Sequence, residues 1–311
     1  MGVDLLPARS DSLALAGFAH LLVTVADCHR AAAFYARLFG LGNAASDALP
    51  GCGHHAVLRL AGGEALVLCE QGERPDLRET GVHQAYRVSR ARRDAIAARL
   101  GEEGIAVFSY KEDRPAEASD NVYFFDPDGN RIQLVAREAA ADGVRIDHAC
   151  VLVADILWAE RFYGAELGLA VDHRTGWRTE DYARARRWAA GEEEMAPGTR
   201  RLDKRYTVMV AKKTVPRANM QLFYRAGDGV IGLYLANKHF QEPPEEQLVG
   251  VPRLALRCGR RMLDEAAARL AAHRRDFMGP IEHPTEVPLE ASPYFKDTGG
   301  NFLELCTPRN S

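Results

Sequence analysis

The sequence predicts an α+β protein: four βαβββ units paired into two domains, each a curved mixed sheet around a cleft. Three observations predict it. The stretch from His20 to Asp27 (His-Leu-Leu-Val-Thr-Val-Ala-Asp) returns 128 residues later, from His148 to Asp155 (His-Ala-Cys-Val-Leu-Val-Ala-Asp). Counted from each His, an aromatic pair follows at offsets 14 and 15 (Phe34 and Tyr35, Phe162 and Tyr163) and a Leu at 21 (Leu41, Leu169). Several offsets kept at once mark an internal duplication. Each half also ends on a similar turn, Asp126-Pro-Asp-Gly-Asn130 and Asp297-Thr-Gly-Gly-Asn301. Gly and Asn there tolerate left-handed backbone, and Pro127 presets φ, so both turns read as hairpins.

Residues 1–16 read as an N-terminal arm, and 17–137 as an N-terminal domain of two units. Residues 18–25 are β-branched and apolar, hence a strand. Asp27 can cap a helix over 28–39, where Ala32, Phe34, Tyr35 and Leu38 recur at helical spacing and Gly40 and Gly42 stop it. Strands are expected near 41–45, at 55–60 and at 65–70, the last two joined at Gly62 and Gly63. After a polar stretch, the second unit reads as strand 83–88, helix 91–100, strand 105–110 and the hairpin 121–125 with 131–136. Residues 138–143 form a small, charged linker. The C-terminal domain, 144–311, repeats the opening and then carries an insertion at about 172–216, too long for a plain loop, with 179–190 a candidate helix. A hairpin follows, 221–224 with 230–236. The fourth unit has strand 254–258, helix 262–272, strand 276–278 and the hairpin 294–305.

Composition excludes several classes. A chain of 311 residues has room for two cores. Its apolar content of 47% and charged content of 27% are those of a globular protein. A net charge of -3 gives no electrostatic case for nucleic acid or an anionic membrane. No apolar run approaches the ~20 residues that span a bilayer. The first twelve residues lack a basic segment followed by an apolar one. Six scattered cysteines without a Cys-x-x-Cys pair read as free, buried thiols. The expected setting is therefore the cytoplasm, and the expected partner a small-molecule substrate, with a homodimer left open.

The His-started strand with its Asp and Phe-Tyr pair, and the Asp-Pro-Asp-Gly-Asn ending, resemble the vicinal-oxygen-chelate superfamily: glyoxalase I, type I extradiol dioxygenases, and the fosfomycin and bleomycin resistance proteins. The resemblance runs from Phe18 to Pro308, and the two-domain arrangement looks most like the extradiol dioxygenases. It implies metal ligands on the first strand of one unit and on the first and last strands of the next. Carried onto this chain, that gives a metal set of His20, His83 and Gln133 in an N-terminal cleft. In a C-terminal cleft it gives His148 and Glu304, with Arg253 where a second His is expected. Neither set is the 2-His-1-carboxylate triad that leaves open positions on Fe(II). Gln133 lacks a carboxylate's charge, and an always-protonated Arg253 reads as an ion-pair partner of Glu304. If the units exchange partners, His83, Gln133 and His148 share one cleft, while His20, Arg253 and Glu304 share the other.

Plainer readings stand beside these. A strand His is ordinarily a core or rim residue, and Gln133 ordinarily a hydrogen-bonding residue of a cleft wall. His54, His55, His273 and His283 read as loop or solvent residues. Arg253, Tyr224, Tyr234 and His239 are the candidates for substrate binding. The first hypothesis is a dioxygenase-like or glyoxalase-like enzyme acting on a small substrate with adjacent oxygens. It would use a divalent metal, Fe(II) or Mn(II) ahead of Zn(II) or Ni(II). The alternative is a metal-free binding or resistance protein, or a metal-independent enzyme, using the same cleft.

Overall fold

The computed structural model describes residues 13–42, 49, 52–72, 82–109, 121–137, 143–153, 156–175, 221–235 and 254–309. Unit one contains β1 (Gly17–Val25), α1 (Cys28–Phe39), β2 (His55–Arg59) and β3 (Ala65–Glu70). Unit two contains β4 (Gln84–Val88), α2 (Arg90–Glu102), β5 (Asn121–Phe125) and β6 (Arg131–Ala136). Unit three contains β7 (Arg145–Val153), α3 (Ile156–Glu160) running into a π-helical turn (Arg161–Glu166), β8 (Val171–Thr175), β9 (Gln221–Ala226) and β10 (Gly229–Leu235). Unit four contains β11 (Leu254–Arg257), α4 (Arg260–Ala272), β12 (Phe277–Glu282), β13 (Leu289–Lys296) and β14 (Phe302–Pro308).

Local chemistry explains the helix boundaries. The Asp27 carboxylate accepts from Arg30 N at 2.9 Å, and Gly40 ends α1 at φ +59°, a conformation in which a Cβ would be strained. Ser89 caps α2 in the same way. The expected strand at 105–110 is reduced to one bridge, Phe108 opposite Tyr123. There, Phe108 stacks on Tyr123 and Phe125 instead of extending the ladder. The expectations for 41–45 (from 43 on), the helix at 179–190 and the bulk of the insertion lie outside the described residues. Insertion residues 172–175 pair as β8 on the edge of a sheet.

Two seven-stranded mixed sheets form, in the orders β12-β13-β14-β11-β1-β3-β2 and β5-β6-β4-β7-β10-β9-β8. The first sheet joins units one and four, and the second joins units two and three. The units have thus exchanged partners relative to sequence order: β1 pairs antiparallel with β11, and β4 with β7. The contiguous halves are tied together on the helix side. Tyr35 of α1 donates to the buried Asp126 of unit two at 2.7 Å, and Tyr163 of unit three donates to Asp297 of unit four at 2.8 Å. One core cluster holds the inward faces of both sheets and the four helices, from Tyr35 and Tyr86 to Tyr163, Tyr224 and Phe295. No helix among the described residues is long and apolar enough to cross a membrane.

Candidate functional site

The sheet registers place the histidines. In the first sheet a row runs Ala65, His20, Ala255, Glu304 and Tyr294 across five adjacent strands. In the second, the equivalent row runs Val230, His148, Ala85, Gln133 and Tyr123. Residues paired across a ladder share a face. His20 therefore shares its cleft with Glu304, and His148 shares its cleft with Gln133 and His83. This corrects the grouping of His20, His83 and Gln133 in one N-terminal cleft, and of His148 with Glu304 in the other. The cause is the exchanged partnership of the units. Arg253 and His239 lie outside the described residues.

In the second cleft, His83 Nε2 lies 2.9 Å from His148 Nε2. His83 is buried and His148 partly so. His148 Nδ1 is 2.8 Å from Asp147 Oδ1, and Arg87 Nε donates to the other oxygen of Asp147 at 3.1 Å. Burial pushes the Asp147 carboxyl up. The His148 hydrogen bond and charge, together with Arg87, outweigh it and hold the group below the usual range. Two residues beyond His148 on the same face, Cys150 Sγ lies 3.6 Å from His83 Nε2. Burial raises its thiol far above the ordinary value, against smaller opposing effects of Tyr234, the His83 backbone and Arg131. Gln133 is buried, and its Oε1 accepts no hydrogen bond among the described residues. A cavity of about 50 Å³ opens beside His83 and Cys150, with Arg131 on its wall.

Aromatic rings surround this cluster. Tyr123 and Tyr234 set their rings 5.6 and 5.7 Å from His83, both edge-on. Phe223 lies 6.3 Å from Tyr234, and His173 stacks flat on Phe223 at 4.1 Å. Gly232 makes room for them: a Cβ there would meet Cys150 Sγ at 2.8 Å and Phe223 Cε1 at 2.9 Å. Tyr234 thus borders the cleft. Tyr224 does not: it belongs to the core on the helix side, stacks on Tyr163 and donates to the Glu160 carbonyl at 3.1 Å. Strand alternation puts Leu222, Tyr224 and Ala226 on that face and Phe223 on the cleft side.

The first cleft is built differently. His20 Nε2 is 3.2 Å from Glu304 Oε2, and Ser292 Oγ donates to Glu304 Oε1 at 2.7 Å, with all three residues buried. Glu304 therefore has an imidazole and a hydroxyl as partners, the hydrogen bonding a buried carboxylate requires. Val57, Ala65, Val67, Cys69, Ala255, Leu289 and Cys306 make the surrounding surface apolar. His283, expected to be a loop or solvent residue, lies in the loop after β12 but is buried, and its Nε2 has no hydrogen-bond partner among the described residues. Burial lowers its pKa, against the nearby charges of Glu304 and Glu282. Its extended backbone precedes Pro284, and the His283 N–H donates to the Glu290 carbonyl at 2.9 Å, which turns the side chain inward beside Tyr294.

The second cleft offers two imidazoles, a thiol and an amide oxygen as donors, whereas the first offers only the paired imidazole and carboxylate of His20 and Glu304. Two ligands at ~2.1 Å and right angles on one ion stand about 3.0 Å apart. The 2.9 Å between His83 and His148 matches that separation. The orphaned Gln133 oxygen and the Asp147 carboxylate behind His148 add to the fit, since ligating imidazoles commonly hand their second nitrogen to a carboxylate.

Residues 17–134 match the family described as the Glyoxalase/Bleomycin resistance protein/Dioxygenase superfamily. A "putative dioxygenase" from Bacillus subtilis superposes with a TM-score of 0.62 at 17% identity, over 96% of this chain and 86% of that one. Glyoxalase I from Zea mays superposes with a TM-score of 0.57 at 15% identity, over 94% and 92%. No curated protein matches in sequence. The family model covers residues 17–134, and over nearly its whole length the chain shares the fold of these solved structures. At these identities the solved structures establish the fold and leave the chemistry to the residues above.

Proposed function

We propose that this protein is a metal-dependent enzyme of the second cleft, acting on a small planar substrate with two adjacent oxygens. The 2.9 Å approach of His83 Nε2 and His148 Nε2 carries the reading. Gln133 Oε1 and Cys150 Sγ are the further donors. The absence of a carboxylate among His83, His148, Gln133 and Cys150 shifts the preferred ion from Mn(II) toward Fe(II), Ni(II) and Zn(II), which tolerate nitrogen and sulfur. A bound ion would supply Lewis acidity toward the paired oxygens. The protein side of the chemistry is positional. Tyr123, Tyr234 and Phe223 supply flat walls suited to an aromatic ring, and Arg131 supplies positive charge at the rim. The Tyr234 phenol, beside His83 and Cys150, is placed to exchange a proton with a bound substrate. The aromatic walls favour a ring-cleaving, extradiol-like reaction over glyoxalase-type isomerisation.

The test is metal uptake from Fe(II), Ni(II), Zn(II) and Mn(II), read by elemental analysis, together with binding of catechol as a substrate probe. His83→Ala and His148→Ala should each lose the cleft ion and the catechol signal, and His20→Ala should keep both. Unchanged uptake and catechol binding in both second-cleft variants overturns the proposal. The His20–Glu304 pair favours a second reading: in that apolar cleft it is a metal-free proton acceptor, read by loss of ligand binding or turnover in His20→Ala alone.

A further inference from the structure

Away from both clefts, at the N-terminal end of α1, lies a second cluster of metal-ligating side chains from three elements. Cys28 opens α1, His29 follows it, His54 precedes β2, and Glu70 ends β3. One donor atom from each of Cys28, His29 and His54 falls within 4.8 Å of the other two. Cys28 Sγ is 3.7 Å from His54 Nδ1, and His54 Nδ1 is 3.1 Å from Glu70 Oε2. On a tetrahedral zinc ion, sulfur and nitrogen ligands stand about 3.6 Å apart, and nitrogen and oxygen ligands about 3.4 Å. The edges already present are close to those of such a tetrahedron. The His29 and His54 rings lie edge to face at 5.2 Å, so the exposed imidazoles close over the buried thiol.

We propose that Cys28, His29, His54 and Glu70 form a surface site for a borderline-soft divalent cation, with Zn(II) the reference ion. One feature of the fold prepares it, although burial and the Glu70 and Asp27 carboxylates raise the Cys28 thiol in the absence of an ion. The Cys28 backbone N–H donates to Glu70 Oε2 at 3.3 Å and so holds the carboxylate against the cluster. Binding breaks the Cys28 S–H bond, sends its proton to solvent and forms the sulfur–metal bond, without change of oxidation state. The site would tie the start of α1 to β2 and β3, so its role is to brace unit one independently of the cleft chemistry.

The experiment uses the full chain carrying His83→Ala and His148→Ala, so that the cleft ligands are removed, and titrates it with Co(II). One equivalent should bind with tetrahedral d–d bands and a thiolate-to-metal charge-transfer band. Adding Cys28→Ser should abolish the charge-transfer band. Adding His54→Gln, at an exposed position that leaves the core intact, should weaken Co(II) and Zn(II) binding at least tenfold and remove the Zn(II)-dependent rise in Tm. Absence of the charge-transfer band in the parent overturns the proposal, as does its persistence with Cys28→Ser. If Cys28→Ser does not fold, His54→Gln decides: unchanged affinity overturns the proposal.

Discussion

The Nε2 atoms of His83 and His148 meet at 2.9 Å although the residues stand 65 positions apart, on the two antiparallel-paired units of the second sheet. Asp147 is what aims His148, through the 2.8 Å contact to Nδ1. Asp147→Asn keeps size and one acceptor but removes the charge. It should weaken metal binding by about 10–100-fold while leaving one equivalent bound at saturation. Competition against a metal-sensitive dye measures this. An unchanged affinity would show that Asp147 serves the Arg87 and Arg137 ion pairs alone.

Cys150 supplies a second check on the same centre. Burial keeps its thiol protonated at neutral pH, so ligation must expel a proton. With Cys150 as a ligand, Zn(II) affinity should rise with pH by up to about tenfold per unit more than in Cys150→Ser. The matching measurement is calorimetry in two buffers of different ionisation enthalpy, which counts the protons released. Equal proton counts for the parent and Cys150→Ser would leave Gln133 as the third donor.

Much of the fold was legible because duplication leaves a periodic trace: the two His-started strands, both Phe-Tyr helices and both Asp-to-Asn turns appear where the sequence places them. The partnership of the units was not legible. It depends on which strand edges meet, β1 with β11 and β4 with β7, and short apolar strands such as 254–257 carry no partner code. The grouping by sequence order therefore fails, and the exchanged-partner grouping holds for His83, Gln133 and His148 and for His20 with Glu304. Two residues of the clefts carry a local sequence signal that the motif spacing does not use. Cys150 is two positions from His148 on one strand, hence on the same face, and His283 precedes Pro284, which disfavours helix and holds it in extended backbone. Alternation along β9 puts Phe223 on the cleft side and Tyr224, a substrate-binding candidate by residue type, in the core. The Cys28 cluster could not be found from spacing, because its members lie on three elements brought together by the β2–β3 hairpin packing on α1.

The paired latches give a stability prediction. Tyr35 donates to Asp126 and Tyr163 to Asp297, with both phenols fully buried. Each Asp also accepts from an Asn side chain and from backbone N–H groups of its turn. Tyr35→Phe and Tyr163→Phe should each cost about 1.5–3 kcal/mol, the range for a hydrogen bond to a charged or highly polar buried group. The latches belong to different halves and share no residue, so the double variant should cost close to the sum. Urea denaturation measures all three. A cost well below the sum would mean that the first loss already releases the second latch.

His283 gives the pH dependence. Its pKa is lowered on folding, chiefly by burial, so between the folded and unfolded values the unfolded chain binds the extra proton. Stability must then rise with pH across that interval. The contribution is complete above the unfolded value of about 6.5 and is lost as pH falls through the lower folded value. The parent should therefore lose stability on acidification from about pH 6.5 downward, before carboxylates near their ordinary values begin to titrate. His283→Gln retains a polar group of similar reach without that titration, and the slope of unfolding free energy against pH in this interval should become shallower. The comparison is urea midpoints at half-unit pH steps, with His273→Gln, an exposed change, as the control. Parallel curves for the parent and His283→Gln would mean that the imidazole opens to solvent before it takes up the proton, and that the first cleft does not hold it neutral.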